Sequence, residues 1–461
     1  MYAFSQFRGI IMDTLKDFFL NKEKYDNKEV VISGWIRNNR SQSQFGFIDL
    51  SDGTTFKTVQ IVYEENLQNF KNIQKYRNGA SVEVKGTFIL TPDRAQPFEI
   101  KAKEVNLLGD STPEFPVQPK RHTREFLREI PHLRVRTNLF QAIFRVRNEA
   151  AFAIHRFFQE KGFIYVHTPI FTSNDGEGAG QLFSISTESK NPYTDFFGKN
   201  VYLTVTGQLH VEPFAMAFRN VYTFGPAFRA ENSNTQKHAS EFWMVEPEMS
   251  FCDLKGEMDI VEELVKYITN DVLEKCPDEM DFFDKFVEKG LIERLKAVIN
   301  TKDFARITHH DAIKLMKESG NAFENEPTYG EDLATEHEKW LTAHFNGPVF
   351  VYDWPKDIKA FYMRLNDDGK TVAASDLLVP ESGELVGGSQ REERLDYLLK
   401  RMDDLHMNES TLDWYVDTRR FGGVVHSGFG LGFERLIMFL TGVDNIRDVE
   451  AYPRTPNNCE F

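Results

Sequence analysis

Between residues 28 and 108, apolar and polar positions alternate in short runs. Val30–Arg37, Phe45–Leu50, Thr58–Tyr63, Ser81–Ile89 and Phe98–Leu107 are rich in β-branched and aromatic residues, the composition of strands. Val82, Val84, Gly86 and Phe88 alternate with polar partners, as in a strand with one face buried. Asp52-Gly53 supplies a turn, and a helical stretch at about Asn66–Tyr76 separates the third and fourth runs. Five strands with a helix in that place fit an oligonucleotide-binding (OB) barrel, though a small β-barrel of unrelated function would show the same pattern.

The pattern then breaks at Pro113, Pro116, Pro119 and Pro131, a density that marks a linker. Beyond it, Ile143, Val146, Ala150, Ala153, Ile154, Phe157 and Phe158 fall at helical spacing from Leu139 to Lys161-Gly162. Strands are expected at Phe163–Thr168, Val201–Thr206, Val221–Arg229, Ser240–Met249, Phe350–Asp353, Ala360–Leu365 and Val424–Gly430, with a last helix from about Phe433. Residues 255 to 345 read as mainly helical and charged. The whole predicts an α+β chain: a barrel unit over 1–109, a Pro-rich basic hinge over 110–138, and a unit over 139–461 built on a largely antiparallel sheet with a helical insertion at about 255–345.

Composition adds limits. Hydrophobic residues make up 41% and charged residues 27% of the 461, an ordinary globular mixture. The chain has no apolar run of about 18 residues, so no membrane span is expected. Arg8, Asp13, Lys16 and Asp17 interrupt any signal-peptide core. Cys252, Cys276 and Cys459 have neither disulfide nor zinc spacing and read as reduced thiols of a cytoplasmic protein. Net charge is −15, which by itself argues against a nucleic-acid binder. Lys120, Arg121, Arg124, Arg128, Arg134 and Arg136 nevertheless form a local basic strip, either a contact for nucleic acid or a solvated linker.

Three stretches carry candidate chemistry. Phe228–Phe242 places Arg229, Glu231, Lys237, His238 and Glu241 between strand-like flanks. An Arg at the base and a cation at the tip of such a hairpin can clamp a polyphosphate, and Phe242 can stack on a base; an exposed hairpin with mixed charges is the plainer alternative. Gly428–Arg435 reads GFGLGFER. It lacks the βαβ context of a dinucleotide fingerprint, but Gly430 and Gly432 let backbone approach a ligand whose phosphates Arg435 could meet. Asp376 and Glu384, before Gly387-Gly388-Ser389-Gln390-Arg391, are a plausible magnesium pair or ordinary surface acids.

Together these stretches resemble the class II aminoacyl-tRNA synthetases, and within them the aspartyl and asparaginyl branch. Leu139–Pro169 is similar to the first motif of that family, a dimer-forming helix and strand. Phe228–Glu248 is similar to the second, and Gly428–Asp448 to the third. The resemblance implies a homodimer with an anticodon-binding OB domain. It implies that Arg229 meets the α-phosphate of ATP, Arg435 the γ-phosphate, and His238 the outer phosphates. Phe242 would stack on adenine beneath Arg435, and Glu231 would read adenine or the tRNA end. Glu384, with Asp376, would bind Mg2+. Phe47 and Gln60 would read the anticodon.

The stretch Thr206–Glu212 separates the branches. Aspartyl enzymes have a Ser-Pro-Gln pattern followed by a lysine; that lysine aligns with Val211, and Glu212 follows where Gln is usual. Arg391 could donate to the side-chain oxygen of asparagine while Glu212 accepts from its NH₂, whereas aspartate would face Glu212 as a second anion. Mismatched buried polar groups can discriminate by about 10⁴ or more. Glu177, Glu246 and Gln208 are candidates for the α-amino group. The expectation is therefore activation of L-asparagine and its transfer to tRNA(Asn). Rival readings are an aspartyl enzyme, a non-discriminating one included, an asparagine synthetase on a related core, and an RNA-binding protein that has lost activity.

Overall fold

The computed structural model describes residues 14–174, 176, 181–187, 191–233, 235–407 and 409–461. The chain forms two compact units that meet in sequence at Gln141/Ala142. In the first unit, β1 (Glu29–Ser41), β2 (Phe45–Ser51), β3 (Val59–Glu64), β4 (Ser81–Leu90) and β5 (Phe98–Gly109) close a barrel in the order β1-β2-β3-β5-β4. Inward residues such as Val82, Val84 and Phe88 are fully buried, which is why the alternation was readable. The helix between β3 and β4 is shorter than expected, only Phe70–Ile73; it inserts Phe70 and Ile73 into the barrel core. Before β1, a helix over Leu15–Leu20 starts in a capping box formed by Thr14 and Asp17 and adds Leu15 and Phe18 to that core.

The proline-rich segment packs on the barrel unit. Asn78 Nδ2 donates to Val117 O at 2.8 Å, and Phe115 lies against Gly79, whose φ of +87° only glycine adopts readily. Two short helices, Arg124–Glu129 and Pro131–Arg134, follow. Arg134 is fully buried, its guanidinium 4.2 Å from the Phe140 ring centre, so it does not belong to a solvent-facing basic strip.

The second unit begins within the helix Asn138–Glu160. Its strands are β6 (Ile164–Tyr165), β7 (Phe171–Thr172), β8 (Ser184–Ile185), β9 (Val201–Leu203), β10 (Asn220–Phe228), β11 (Glu241–Ser250), β12 (Ala305–Thr308), β13 (Val349–Pro355), β14 (Thr371–Val379), β15 (Gly383–Gln390) and β16 (His426–Gly432). Strands β7, β9 and β8 make a small sheet. The main sheet runs β12-β13-β14-β15-β16-β11-β10-β6, antiparallel except at its two ends. One expectation is corrected. The segment 360–365 is no strand: it makes only isolated bridges at Met363 and Leu365, because Phe361 and Tyr362 instead join the core of Leu398, Met402 and Tyr415. The insertion also contributes β12 to the sheet edge beside β13.

Candidate active site

A cavity of about 320 Å³ opens over the centre of the main sheet. Its floor is flat because glycines face it. Gly387 of β15 lies opposite Gly430 of β16, and Gly432 lies opposite Met244 of β11. A Cβ on Gly430 would come within 2.7 Å of Met244 Cε, so a larger residue there would have to displace the Met244 side chain. Arg229, Glu231, His238, Phe242, Glu246, Gln208, Asp376, Glu384, Arg391 and Arg435, scattered over more than two hundred positions of sequence, all line this space.

One end is cationic and partly open. The β10–β11 hairpin is closed by Arg229 N donating to Ser240 O at 2.9 Å, and the Arg229 guanidinium sits 5.3 Å from the Phe242 ring centre. His238 Nδ1 lies 2.5 Å from Thr235 Oγ1; burial and the charge of Arg435 lower its pKa. Arg435, at the start of the last helix (Phe433–Thr441), contacts Glu384 at 3.3 Å through the backbone oxygen and 3.6 Å through the carboxylate. Lys237, which also lines the cavity, donates to Ser382 O at 2.8 Å. Asp376 and Glu384 converge on Gly387, where a Cβ would lie 3.4 Å and 3.3 Å from one oxygen of each. Asp376 Oδ2 is held by Lys359 Nζ at 2.6 Å. Burial, opposed by Lys359 and aided by Glu384, pushes the Asp376 carboxyl up to about 6.

The other end is closed. Arg391, 2% exposed, donates through Nε and Nη2 to Glu248 at 3.2 and 2.5 Å and through Nη1 to Ser389 Oγ at 2.8 Å. Gly428 makes room for this pair, since a Cβ there would fall on the Glu248 carboxylate. Burial and the nearby Glu212 charge push Glu248 up to about 6 against the pull of Arg391. Glu212 is fully buried and does not line the cavity. Arg419 Nη2 and His426 Nε2 lie 2.6 and 2.7 Å from its Oε1, and Tyr415 OH lies 2.9 Å from both its oxygens. Burial alone would raise its pKa; Arg419 and His426 outweigh that and hold it below the usual carboxylate range. Glu212 therefore stands behind the cavity wall, with Arg419 and His426 on its Oε1 and the Tyr415 hydroxyl shared between its two oxygens. Val211 is in an apolar cluster with Val166, Ala215 and Val221, also off the wall.

Between the two ends, Thr206, Gln208 and Glu246 line the cavity at the start of the helix Gln208–Phe218. Glu246 accepts from Thr206 Oγ1 and from Gly207 N, and burial raises its pKa despite both bonds. Gln208 Nε2 is buried and has no hydrogen-bond partner among the described residues. Glu177 lies outside the described residues. Sequence reasoning passed over Lys359, Tyr362, Glu248, Arg419 and His426. Only Glu248 left a signal: it shares a face of β11 with Glu246 two residues earlier.

On the barrel, Phe47 pairs with Val62 and Gln60 with Asp49, which sets Phe47 and Gln60 diagonally on one outward face. Arg40 lies 5.7 Å from the Phe47 ring centre, and Gln60 Nε2 donates to Glu99 at 3.2 Å. That face offers a ring for stacking and an amide for a base edge.

Residues 123–456 match the model of the class II tRNA synthetases (D, K and N), and residues 30–108 that of the OB-fold nucleic acid binding domain. The chain is 60% identical to the asparagine–tRNA ligase of Acholeplasma laidlawii over 97% of its own length and 99% of that protein's. It is 55% identical, with the same coverage, to the asparagine–tRNA ligase of Alkaliphilus oremlandii. Among solved structures it resembles asparaginyl-tRNA synthetase from Pyrococcus horikoshii complexed with asparaginyl-adenylate. That likeness has a TM-score of 0.88 and 32% identity and covers 98% of this chain and 100% of that one.

Proposed function

The chain belongs to the class II tRNA synthetases of the D, K and N group, and from that membership we propose that it activates L-asparagine with ATP and transfers it to tRNA(Asn). The observation that carries the choice of amino acid is the charge balance at the closed end. Arg391 and Arg419 each already have a carboxylate partner, Glu248 and Glu212. A neutral amide meets a balanced site there, while aspartate would bring an unmatched anion into a buried space. Arg391, at the wall, donates to the side-chain oxygen. Glu212 contributes by fixing Arg419 and His426 behind it. Gln208, as oriented, donates to the substrate carboxylate; its flipped amide would instead accept from the ammonium, as Glu246 does. Glu177 remains a candidate for that ammonium.

In the first step a carboxylate oxygen of asparagine forms a bond to the α-phosphorus of ATP as the bond to the bridging oxygen breaks and pyrophosphate leaves. The nucleophile is already an anion, so no general base is needed; positioning and charge neutralisation suffice. Arg229 neutralises the α-phosphate, and Arg435 and His238 hold the outer phosphates. Phe242 and Arg435 enclose adenine, Glu231 reads its edge or the tRNA end, and Gly430 and Gly432 admit the nucleotide to the floor. Glu384 and Asp376, which both face Gly387, would hold Mg2+ together with phosphate oxygens, and the metal would supply further charge neutralisation. In the second step the terminal ribose hydroxyl of tRNA attacks the carbonyl carbon of the adenylate and AMP leaves. Phe47 and Gln60 read the anticodon by stacking and hydrogen bonding.

Exposed apolar side chains at Phe152, Ile164, Phe171, Phe214 and Phe218 support a homodimer. A cytoplasmic location follows from the reaction, and no helix among the described residues is long and apolar enough to cross a membrane. ATP–pyrophosphate exchange measured with each amino acid tests the reading: asparagine should support it, and exchange with aspartate but not asparagine would sink it.

A further inference from the structure

The triphosphate end has a neighbour that none of its motifs predicts. Helix Thr335–His344 belongs to the insertion, and Glu338 projects from it to the turn between β14 and β15. The Glu338 carboxylate lies against the Gly383 backbone of that turn. Its Oε2 also crowds the α-carbon of Gly383, where a Cβ would overlap it, and the Lys237 ammonium lies 3.1 Å from the same Cβ position. Lys237 donates to Ser382 O, one residue earlier in that turn. Gly383 has a φ of +75° and Glu381 one of +66°, so the turn is a tight left-handed one that needs its glycine for both space and backbone. The result is one knot. An acid from the insertion, a lysine from the β10–β11 loop, and the backbone leading into Glu384 and contacted by Arg435 all meet at Ser382–Glu384.

Lys237 lines the cavity and Glu338 does not. We propose that Glu338 is a positioning residue for the triphosphate end of the cavity, holding the Lys237 ammonium and the turn at Gly383 so that Lys237 joins Arg435 on the outgoing pyrophosphate of ATP. This rests on the reading of the cavity as an ATP site. The insertion thereby braces the loop that carries Lys237. The carboxylate both draws the ammonium to the turn by charge and packs on the backbone of Gly383, so the two effects separate in variants.

The test compares Glu338→Ala, Glu338→Gln and Lys237→Met in the full chain. It reads the KM for ATP and for asparagine in pyrophosphate exchange, and single-turnover transfer from preformed asparaginyl-adenylate to tRNA. Glu338→Ala and Lys237→Met should each raise the KM for ATP about tenfold and leave the KM for asparagine within about twofold. Transfer should be unchanged, since pyrophosphate has already left. Glu338→Gln, which keeps the packing on Gly383 and loses the charge, should recover part of the loss, and the Ala–Met double variant should be no worse than either single one. A KM for ATP within about twofold of wild type in both single variants overturns the proposal, as does an equal fall in all three readouts. If the unmodified chain gives no exchange with any amino acid, the ATP-site reading fails instead.

Discussion

The two ends of the cavity are built on opposite electrostatic plans. At the triphosphate end Arg229, Lys237, His238 and Arg435 stand on a loop and at a helix start, partly exposed, with contacts to Glu384 as long as 3.6 Å. At the closed end Arg391 and Arg419 are buried and each is bonded to its own carboxylate. Cations that are accessible and loosely held can turn to a polyanion. Cations that are matched and desolvated offer geometry without surplus charge, which suits an uncharged side chain. Counting arginines in a pocket therefore does not give the charge of its ligand; their partners do.

The largest effect should come from unbalancing the closed end. Glu212→Gln leaves Arg419 buried without a carboxylate and should destabilise the catalytic unit by about 3–5 kcal/mol, read as a lower urea midpoint. An unchanged midpoint would mean that the network is not stabilised as a pair. At the open end, Arg229→Ala should lower kcat/KM for activation by about 10²- to 10³-fold while leaving the midpoint unchanged. Loss of stability on the same scale would erase the contrast between the two ends. On the barrel, Phe47→Ala should weaken tRNA charging by about tenfold, within the usual ~1–3 kcal/mol of a stacked base, and spare pyrophosphate exchange. Equal loss of both activities would count against an anticodon role.

The smallest expected effect is a pH dependence of selectivity. Glu248, with its carboxyl raised to about 6, is ionised above that pH and protonated below it. Protonation leaves Arg391 with surplus charge, so the preference for asparagine should fall as pH falls. Between pH 7.5 and 5.5 the ionised fraction, and with it the kcat/KM ratio of asparagine to aspartate, should drop about fourfold. Glu248→Gln should show a lowered ratio with that pH dependence gone. A ratio that rises on acidification would contradict the balance argument.

Legibility in the sequence followed the range of the forces involved. The barrel strands were readable because burial alternates along them, as in β4, and the Asn138–Glu160 helix because Ile143 through Phe158 keep one face in the core. The segment 360–365 misled because its apolar residues are anchors for a core built with Leu398 and Met402. Strand β12 was hidden because four half-buried residues at a parallel edge leave no period. Among site residues, those on the second and third motifs could be carried over by resemblance. Lys359, Glu338, Arg419 and His426 could not, because each acquires its role only through a partner at least 17 positions away: Asp376, Gly383 and Glu212. For Glu212 the sequence shows that an acid is present but not that Arg419, His426 and Tyr415 surround it.

The central claim is that a charge-matched end selects a neutral side chain. The most direct measurement is the ratio of kcat/KM for asparagine to that for aspartate in pyrophosphate exchange by the unmodified enzyme at neutral pH. A ratio of about 10⁴ or more is expected. A ratio near one, or one that favours aspartate, would contradict it.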